Sequence, residues 1–342
     1  MSNVKCHLSP VTRHASPVTR HPSPVTRHPS MSIVSIFPLP LHAGKKSSLR
    51  MNVALFGKTL TEPVLPLIQE FIDALYSMNG GVLIYKPFCE SLLHRITFPE
   101  EPKTFTKQSE IDKVTDVLFS IGGDGTILDS VGLVGDSGIP VTGINLGRLG
   151  FLSSISKEHI IPAIHAIQNG QFQIEKRTLL RLDSPERLFG ATNYALNDLT
   201  VFKPNVMALL TIKTWINGEF LNAYWADGLI VSTPTGSTAY SLSCTGPIIA
   251  PDSENFLITP IASHNLTVRP IILRDDCEIK IRVEGKNGEF HVSLDSRIER
   301  VNNDVELIIH KAPFKINLLR LNDKNFFQTI REKLNWGLDN RN

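Results

Sequence analysis

Phe119-Ser-Ile-Gly-Gly-Asp-Gly-Thr126 sets a glycine-rich turn after an apolar run, Val114–Ser120, and ahead of a stretch with helical spacing around Thr126–Gly132. Read as strand, turn and helix, it brings backbone N–H groups and the positive end of a helix to one place, where phosphate oxygens bind. Asp124 is out of keeping with that chemistry, because it repels the phosphates the glycines attract. Taken alone it is a turn residue or a helix cap. Its functional alternative is a carboxylate that meets a hydroxyl or a metal, as phosphoryl transfer requires.

Outward from this turn the pattern is periodic. Asn52–Phe56 and Gly81–Tyr85 read as buried strands, and Pro140–Asn145 as another. Val64–Met78 and His159–Asn169 carry apolar residues at helical spacing. Strands alternating with helices predict a parallel, doubly wound sheet. After Lys176 the texture turns β-rich, with short strands expected at Thr178–Asp183, Ala191–Phe202, Leu209–Ile216, Glu219–Trp225, Gly228–Ser232, Glu278–Val283, Glu289–Leu294 and Val305–Ile309. Asn217-Gly218 and Asn287-Gly288 read as hairpin turns. A helix returns near Asn325–Lys333. The expected fold is α/β: a doubly wound N-terminal domain over 51–176, with 311–342 returning to it, and an antiparallel, sandwich-like β-rich domain over 177–310.

The first thirty residues repeat a heptad, Ser9-Pro-Val-Thr-Arg-His-Ala, then Ser16 and Ser23 onward with Pro in its last place. Proline at this period prevents a regular helix. Residues 1–50 therefore read as a disordered extension, or as a translated repeat upstream of a start at Met51. A targeting peptide and a His-rich metal segment are the competing readings.

The chain has 342 residues and a formal net charge of +2. Residues 1–50 hold seven basic residues and no acidic one, so 51–342 carry 28 basic against 33 acidic residues. A nucleic-acid binder concentrates basic charge on its folded body; here the excess sits in the extension, and nucleic acid is discounted as a partner. No stretch approaches the roughly 18 consecutive apolar residues of a membrane helix. Four widely spaced cysteines without a CxxC pair argue against a structural zinc or disulfide framework and fit a reducing cytoplasm.

Two familiar nucleotide motifs fail. Gly57-Lys58-Thr59 resembles the end of a Walker A loop, but Asn52 stands where its first glycine belongs. Gly123-Asp-Gly-Thr-Ile-Leu128 lacks the third glycine of the dinucleotide fingerprint, which disfavours a dehydrogenase.

Gly122-Gly-Asp-Gly-Thr126 resembles the motif of a kinase superfamily that includes NAD kinases, diacylglycerol and sphingosine kinases and, more loosely, phosphofructokinases. Ile144–Leu152, Ala195-Leu-Asn-Asp198 and Asp227–Ser243 resemble further NAD-kinase signatures, and the third is the most specific. Thr259-Pro-Ile261 through Thr267–Pro270, Ser293-Leu-Asp295 and Phe326–Trp336 continue the resemblance, which covers 51–342. It implies transfer of a phosphoryl group from ATP, or another donor such as polyphosphate, to the adenosine 2′-hydroxyl of NAD. Asp124 would orient that hydroxyl or accept its proton, and Gly123, Gly125 and Thr126 would line the phosphate path. Asn197 and Asp198 would hold ribose hydroxyls and adenine. Thr235, Thr238, Ala239, Tyr240 and Ser243 would contact the dinucleotide, Asp227 its nicotinamide end across a subunit boundary, and Phe151 and Ala262 its apolar surfaces. Ordinary core packing is an equal explanation for Phe151 and Ala262. Arg297 stands at a variable, ligand-facing position; Ser296 replaces a common glycine, and Cys244-Thr245 replace small residues. The resemblance further implies a divalent cation, magnesium, held by donor phosphates with no protein metal site, and a homodimer or homotetramer. A lipid kinase or a non-catalytic dinucleotide sensor on the same fold are the rival readings.

Overall fold

The computed structural model describes residues 50–78, 80–111, 114–147, 150–204, 209–285, 288–321 and 325–337. The expected disordered extension lies outside them, apart from Arg50.

Five strands form the parallel sheet: β1 (Val53–Gly57), β2 (Val82–Tyr85), β3 (Lys103–Phe105), β4 (Val117–Ile121) and β5 (Val141–Asn145), in the order β3-β2-β1-β4-β5. Every residue of β1, β4 and β5 is buried, as strands covered on both faces must be. Helices α1 (Leu65–Ser77), α2 (Lys86–Leu92) and α4 (Ile160–Gln168) cover one face. Ile68, Phe71 and Ile72 of α1 pack there beside Ala163 and Ile164 of α4. Helix α3 (Asp124–Val134) covers the other face through Ile127, Val131 and Val134. A two-residue strand, β6 (Ile155–Ser156), extends β5. The chain leaves β1 toward β2 but leaves β4 toward β5, so strand order reverses between β1 and β4. Open α/β sheets bind ligands in the crevice at the carboxyl ends of such a pair. Here those ends are Gly57 and the Gly122–Asp124 turn.

The remaining strands are β7 (Phe172–Ser184), β8 (Tyr194–Ala195), β9 (Asp198–Phe202), β10 (Leu210–Ile216), β11 (Glu219–Ala226), β12 (Gly228–Ser232), β13 (Asn255–Ile261), β14 (Ile271–Arg274), β15 (Ile279–Glu284), β16 (Glu289–Leu294), β17 (Arg297–Asn302) and β18 (Glu306–Leu321). A 3-10 turn (Thr235–Thr238) and the short α5 (Tyr240–Ser243) follow β12, and α6 (Phe326–Leu334) closes the chain. The first sheet continues beyond β5 through β18, β15, β10 and β11, with β7 paired along β18. The second sheet is antiparallel, in the order β14-β13-β12-β9-β16-β17. Val201, Leu229, Phe256 and Phe290 of the second sheet meet Ile212, Ile279 and Ile281 of the first in one core, which makes this half a sandwich. Strands β7 and β18 run through both halves, and the expected boundaries at 176/177 and 310/311 fall inside them.

Asn217 and Gly218 both take positive φ, as a tight hairpin between β10 and β11 requires. Asn287 lies outside the described residues, but its flanking strands correct the hairpin expected there. β15 and β16 belong to different sheets and do not pair with each other. The single strand expected over Ala191–Phe202 is two, broken at Leu196-Asn197, and the last expected strand runs on to Leu321. The sandwich predicts a large penalty for hollowing its centre. Phe290→Ala is expected to lower unfolding free energy by about 3–5 kcal/mol in denaturant titration.

Candidate functional site

Helix α3 begins at Asp124 itself, with Gly123 as its N-cap. The Asp124 carboxylate collects the loop that follows β5. Phe151 and Leu152 donate their N–H groups to Oδ2 at 2.7 and 3.2 Å. Ser153 donates its N–H and its hydroxyl to Oδ1 at 3.0 and 2.7 Å. The loop approaches this closely because residue 150 is glycine: a Cβ there would lie 1.8 Å from Oδ1. Gly123 and Gly125 are exposed, and a Cβ on either would meet nothing within 4 Å. The start of α3 thus presents open backbone beside a fixed carboxylate. Thr126 is buried, with its side chain under Gly122.

A second carboxylate organises Asn197 and Asp198. Asp295, at the tip of the β16–β17 hairpin with φ 52°, accepts the N–H groups of Leu196, Asn197 and Asp198 at 2.9, 2.8 and 3.3 Å. Its own N–H returns to the Asp198 carbonyl. The left-handed residue of this turn is 295, so position 296 does not need glycine. Asp198 is 6% exposed, and Thr200 donates a hydroxyl to it at 2.9 Å. Burial, and then the neighbouring Asp295 charge, push the Asp198 carboxyl up to about 7. Burial also pushes Asp295 up, opposed by the three N–H donors and the Arg297 charge.

The 3-10 turn Thr235–Thr238 lies directly on this segment. A Cβ on Gly236 would lie 2.1 Å from the Asn197 carbonyl oxygen, and Thr233 donates its N–H to that oxygen at 2.9 Å. Beyond the turn, Ala239 and Tyr240 lead into exposed Ser243. Tyr240 is 47% exposed and lies within the fields of both Asp198 and Asp227; its phenol is raised, first by burial. Asp227 pairs with Lys203 at 2.5 Å and bonds through its N–H to the Ile261 carbonyl, next to Ala262 at φ 45°. The structure therefore joins Asn197, Asp198, Tyr240, Asp227 and Ala262 along one edge, and Asp124 with Phe151 on another.

Arg297 lies elsewhere. It lines a cavity of about 670 Å³ between the end of β1 and the flank of α3, with Phe56, Lys58, Tyr85, Asp129 and Tyr194. Its guanidinium donates to the carbonyls of Thr192 and Tyr194. Lys58 pairs with Asp129 at 2.5 Å, and Ser296 donates to the same carboxylate at 2.8 Å. Lys58, set aside in the sequence with the failed Walker motif, is a cation at the sheet's switch point. Gly150 and Asp295 were also missed as site-formers. Both stand inside recognisable motifs, but only their contacts reveal what they do.

A doubly wound sheet with an open, glycine-rich helix start at its switch point defines a nucleotide-binding protein. A family model described as the ATP-NAD kinase N-terminal domain matches residues 81–172, and one described as the ATP-NAD kinase C-terminal domain matches residues 196–321. An NAD kinase from Cytophaga hutchinsonii is 45% identical over 293 residues, covering 85% of this chain and 100% of that protein. One from Bacteroides fragilis is 43% identical over 291 residues, with the same coverage of both chains. Among solved structures, yeast NADH kinase complexed with NADH aligns with a TM-score of 0.73 and 27% identity, over 85% of this chain and 89% of that one. An NAD kinase from Archaeoglobus fulgidus in complex with ATP shares the fold, with a TM-score of 0.62 and 23% identity over 83% of this chain and 99% of that one. The chain belongs to the NAD kinase family and is an enzyme that phosphorylates NAD.

The raised Asp198 carboxyl has a stability consequence. The folded chain holds this proton up to about pH 7, whereas an unfolded Asp releases it near 3.8. Stability contributed by the neutral form is complete below the lower value and is lost as pH rises through the upper one. Asp198→Asn keeps a neutral group at every pH. The difference in melting temperature, variant minus parent, is expected to be more positive at pH 8 than at pH 5; an equal difference at both would show that Asp198 is not held protonated.

Proposed function

We propose that this enzyme transfers the terminal phosphoryl group of ATP to the adenosine 2′-hydroxyl of NAD, with Asp124 as the residue that orients the hydroxyl and takes its proton late in the transfer. The reading is carried by one observation: a carboxylate fixed at the open mouth of the switch-point crevice. The 2′-oxygen forms a bond to the γ-phosphorus as the bond from phosphorus to the bridging oxygen breaks. ADP leaves, and the hydroxyl proton passes to Asp124 and then to solvent. Catalysis of this kind is mostly positioning and charge stabilisation.

An ionised carboxylate offers about four lone-pair sites, and four donors already reach Asp124. The substrate hydroxyl must replace one of them. The Ser153 hydroxyl is a side-chain rotor and can turn away without moving backbone, so it is the donor that yields. Gly123 and Gly125 leave room for phosphate oxygens at the α3 N-terminus, where backbone N–H groups favour anions. Thr126 supports that turn from beneath. The 670 Å³ cavity suits the donor nucleotide, with Lys58 and Arg297 as its cations.

On the acceptor side, Asn197 and Asp198 hold the adenosine ribose and adenine. Ribose hydroxyls donating to Asp198 favour its ionised form. Thr235, Thr238, Ala239, Tyr240 and Ser243 follow the dinucleotide, Phe151 and Ala262 supply apolar contact, and Asp227 meets the nicotinamide end. The yeast NADH kinase complexed with NADH supports a nicotinamide dinucleotide as the acceptor on this fold. The match to both ATP-NAD kinase domains favours ATP as donor and NAD over a lipid as acceptor.

Among the described residues no group of three or more His, Cys, Asp and Glu could hold a metal ion. The divalent cation, magnesium, is assigned to the donor's phosphates, with no protein ligand. Assembly as a homodimer or homotetramer follows from the family resemblance; Trp225, half-exposed on the outermost strand β11, is an apolar surface that such a contact would cover. No helix of the described residues is long and apolar enough to cross a membrane, and a cytoplasmic setting rests on the cysteine usage.

The test is direct. Full-length protein with ATP, magnesium and NAD is expected to form NADP. Asp124→Asn is expected to lower kcat by about 10²–10⁴ while the NAD dissociation constant stays within threefold. Undiminished turnover in Asp124→Asn would remove Asp124 from the reaction, and a parent protein without NADP formation would overturn the proposed reaction. Polyphosphate in place of ATP, run in parallel, fixes the donor.

A further inference from the structure

Strands β7 and β18 carry an ionic group that no motif contains, two buried arginines on one half-buried glutamate. Glu175 and Arg177 are two residues apart on β7 and so share a face. Arg320 of β18 stands opposite Gln173, which places it diagonally beside Glu175 on that same face. Arg177 and Arg320 are 3% and 5% exposed. One carboxylate oxygen serves both: Arg177 donates to Glu175 Oε2, and Arg320 Nε lies 2.9 Å from it. The Arg320 contact is an ion pair without hydrogen-bond alignment, and Nε of each arginine has no well-directed acceptor.

The outer ends of the two guanidinium groups reach different parts of the site. Arg320 Nη2 donates to the Phe151 carbonyl at 2.8 Å. The N–H of that same residue is the 2.7 Å donor to Asp124. Arg177 Nη1 reaches Thr235 Oγ1 at 3.4 Å, at the head of the 3-10 turn that leads to Ala239 and Tyr240. A single shared carboxylate thus ties the loop that holds Asp124 to the segment assigned to the dinucleotide.

We infer that Arg320, Glu175 and Arg177 form a positioning unit for the reaction, in which Arg320 sets the place of Asp124 through the Phe151 residue and Arg177 sets the dinucleotide-binding turn through Thr235. None of the three touches the reacting atoms in this arrangement. Arginine is required at both ends, because a guanidinium can bridge two acceptors and stays charged when buried, whereas a lysine ammonium is a point charge. The β7–β18 ladder, which pairs Phe172–Thr178 with Lys315–Leu321, makes the mount rigid.

The charge count selects the variants. Two guanidinium groups face one shared carboxylate, with Asp252 contributing more distant negative charge at Arg177. Removing either arginine leaves the other paired with Glu175, whereas removing Glu175 would leave two buried like charges. Arg320→Met and Arg177→Met are therefore the informative changes, with Arg320→Lys as the conservative partner.

The unit makes opposite demands on the two arginines. Arg320→Met should lower kcat at least tenfold and leave the KM for NAD within threefold, because Asp124 acts in the transition state. Arg177→Met should raise the KM for NAD at least fivefold and leave kcat within threefold. Arg320→Lys should fall between parent and Arg320→Met in kcat, and it decides the matter if the methionine variant does not fold. Rates are taken per folded site, counted by NADP titration. A purely structural role would lower the folded fraction and leave these per-site constants alone. A kcat within twofold of parent for Arg320→Met, or for Arg320→Lys where that variant decides, overturns the inference, as does the same kinetic split for both arginines. The inference rests on Asp124 as the orienting carboxylate. If Asp124→Asn turns over normally, that reading fails; if Asp124→Asn is inactive and Arg320→Met is not, the positioning unit alone fails.

Discussion

Four hydrogen bonds converge on the Asp124 carboxylate, and the geometry of the proposed reaction centre follows from them. The carboxylate begins helix α3, so its backbone belongs to the sheet's switch point, while its oxygens belong to the loop after β5. It thereby locks the helix start to the 150–153 loop. A charged acceptor with backbone donors is stronger than a neutral pair, and Gly150 lets the two approach. Without this lock, no carboxylate would be held beside the open glycines of the turn. The aspartate that looks misplaced among phosphate-binding glycines is the residue that fixes their surroundings.

The second half repeats the device with different parts. Asp295 accepts three successive N–H groups where β8 and β9 break, so a carboxylate at a hairpin tip shapes the loop that presents Asn197 and Asp198. The cost is electrostatic, since Asp295 then stands close to Asp198 in a dry setting and raises its proton affinity. The ribose contact proposed at Asp198 would therefore be coupled to loss of a proton near neutral pH. Asp295 rests on the sandwich and Asp124 on the parallel sheet, and the β7–β18 ladder continues from one half of the molecule into the other.

Much of this was legible in the sequence, for physical reasons that differ by element. Four of the five parallel strands were legible because strands buried on both faces, such as Val53–Gly57 and Val117–Ile121, are mostly apolar, whereas the short β3 carries two exposed residues of its three. Asn217-Gly218 was legible because a two-residue turn needs two left-handed residues. Asn287-Gly288 misled because turn chemistry is local, whereas the sheet to which each flanking strand belongs is set by packing far away. β8 and β9 read as one strand because the break between them is imposed by Asp295, about a hundred residues downstream. The motif residues of the site were visible as a resemblance. Glu175, Arg177 and Arg320 were not: in sequence they are ordinary charges on β-rich segments, and only strand register brings them together. Lys58 was hidden by the opposite error, since rejecting a Walker loop said nothing about a lone cation at a switch point.

The most direct test of the central claim is steady-state NADP formation by Gly150→Ala. A methyl group at 150 overlaps Asp124 Oδ1, so the carboxylate must leave the loop while the segment around Asn197 and Tyr240, proposed to hold the dinucleotide, stays in place. The account predicts a folded protein that binds NAD within threefold of the parent and loses at least 90% of kcat. A folded Gly150→Ala enzyme with parental kcat would contradict it, because catalysis would then proceed without the hold that the 150–153 loop places on Asp124.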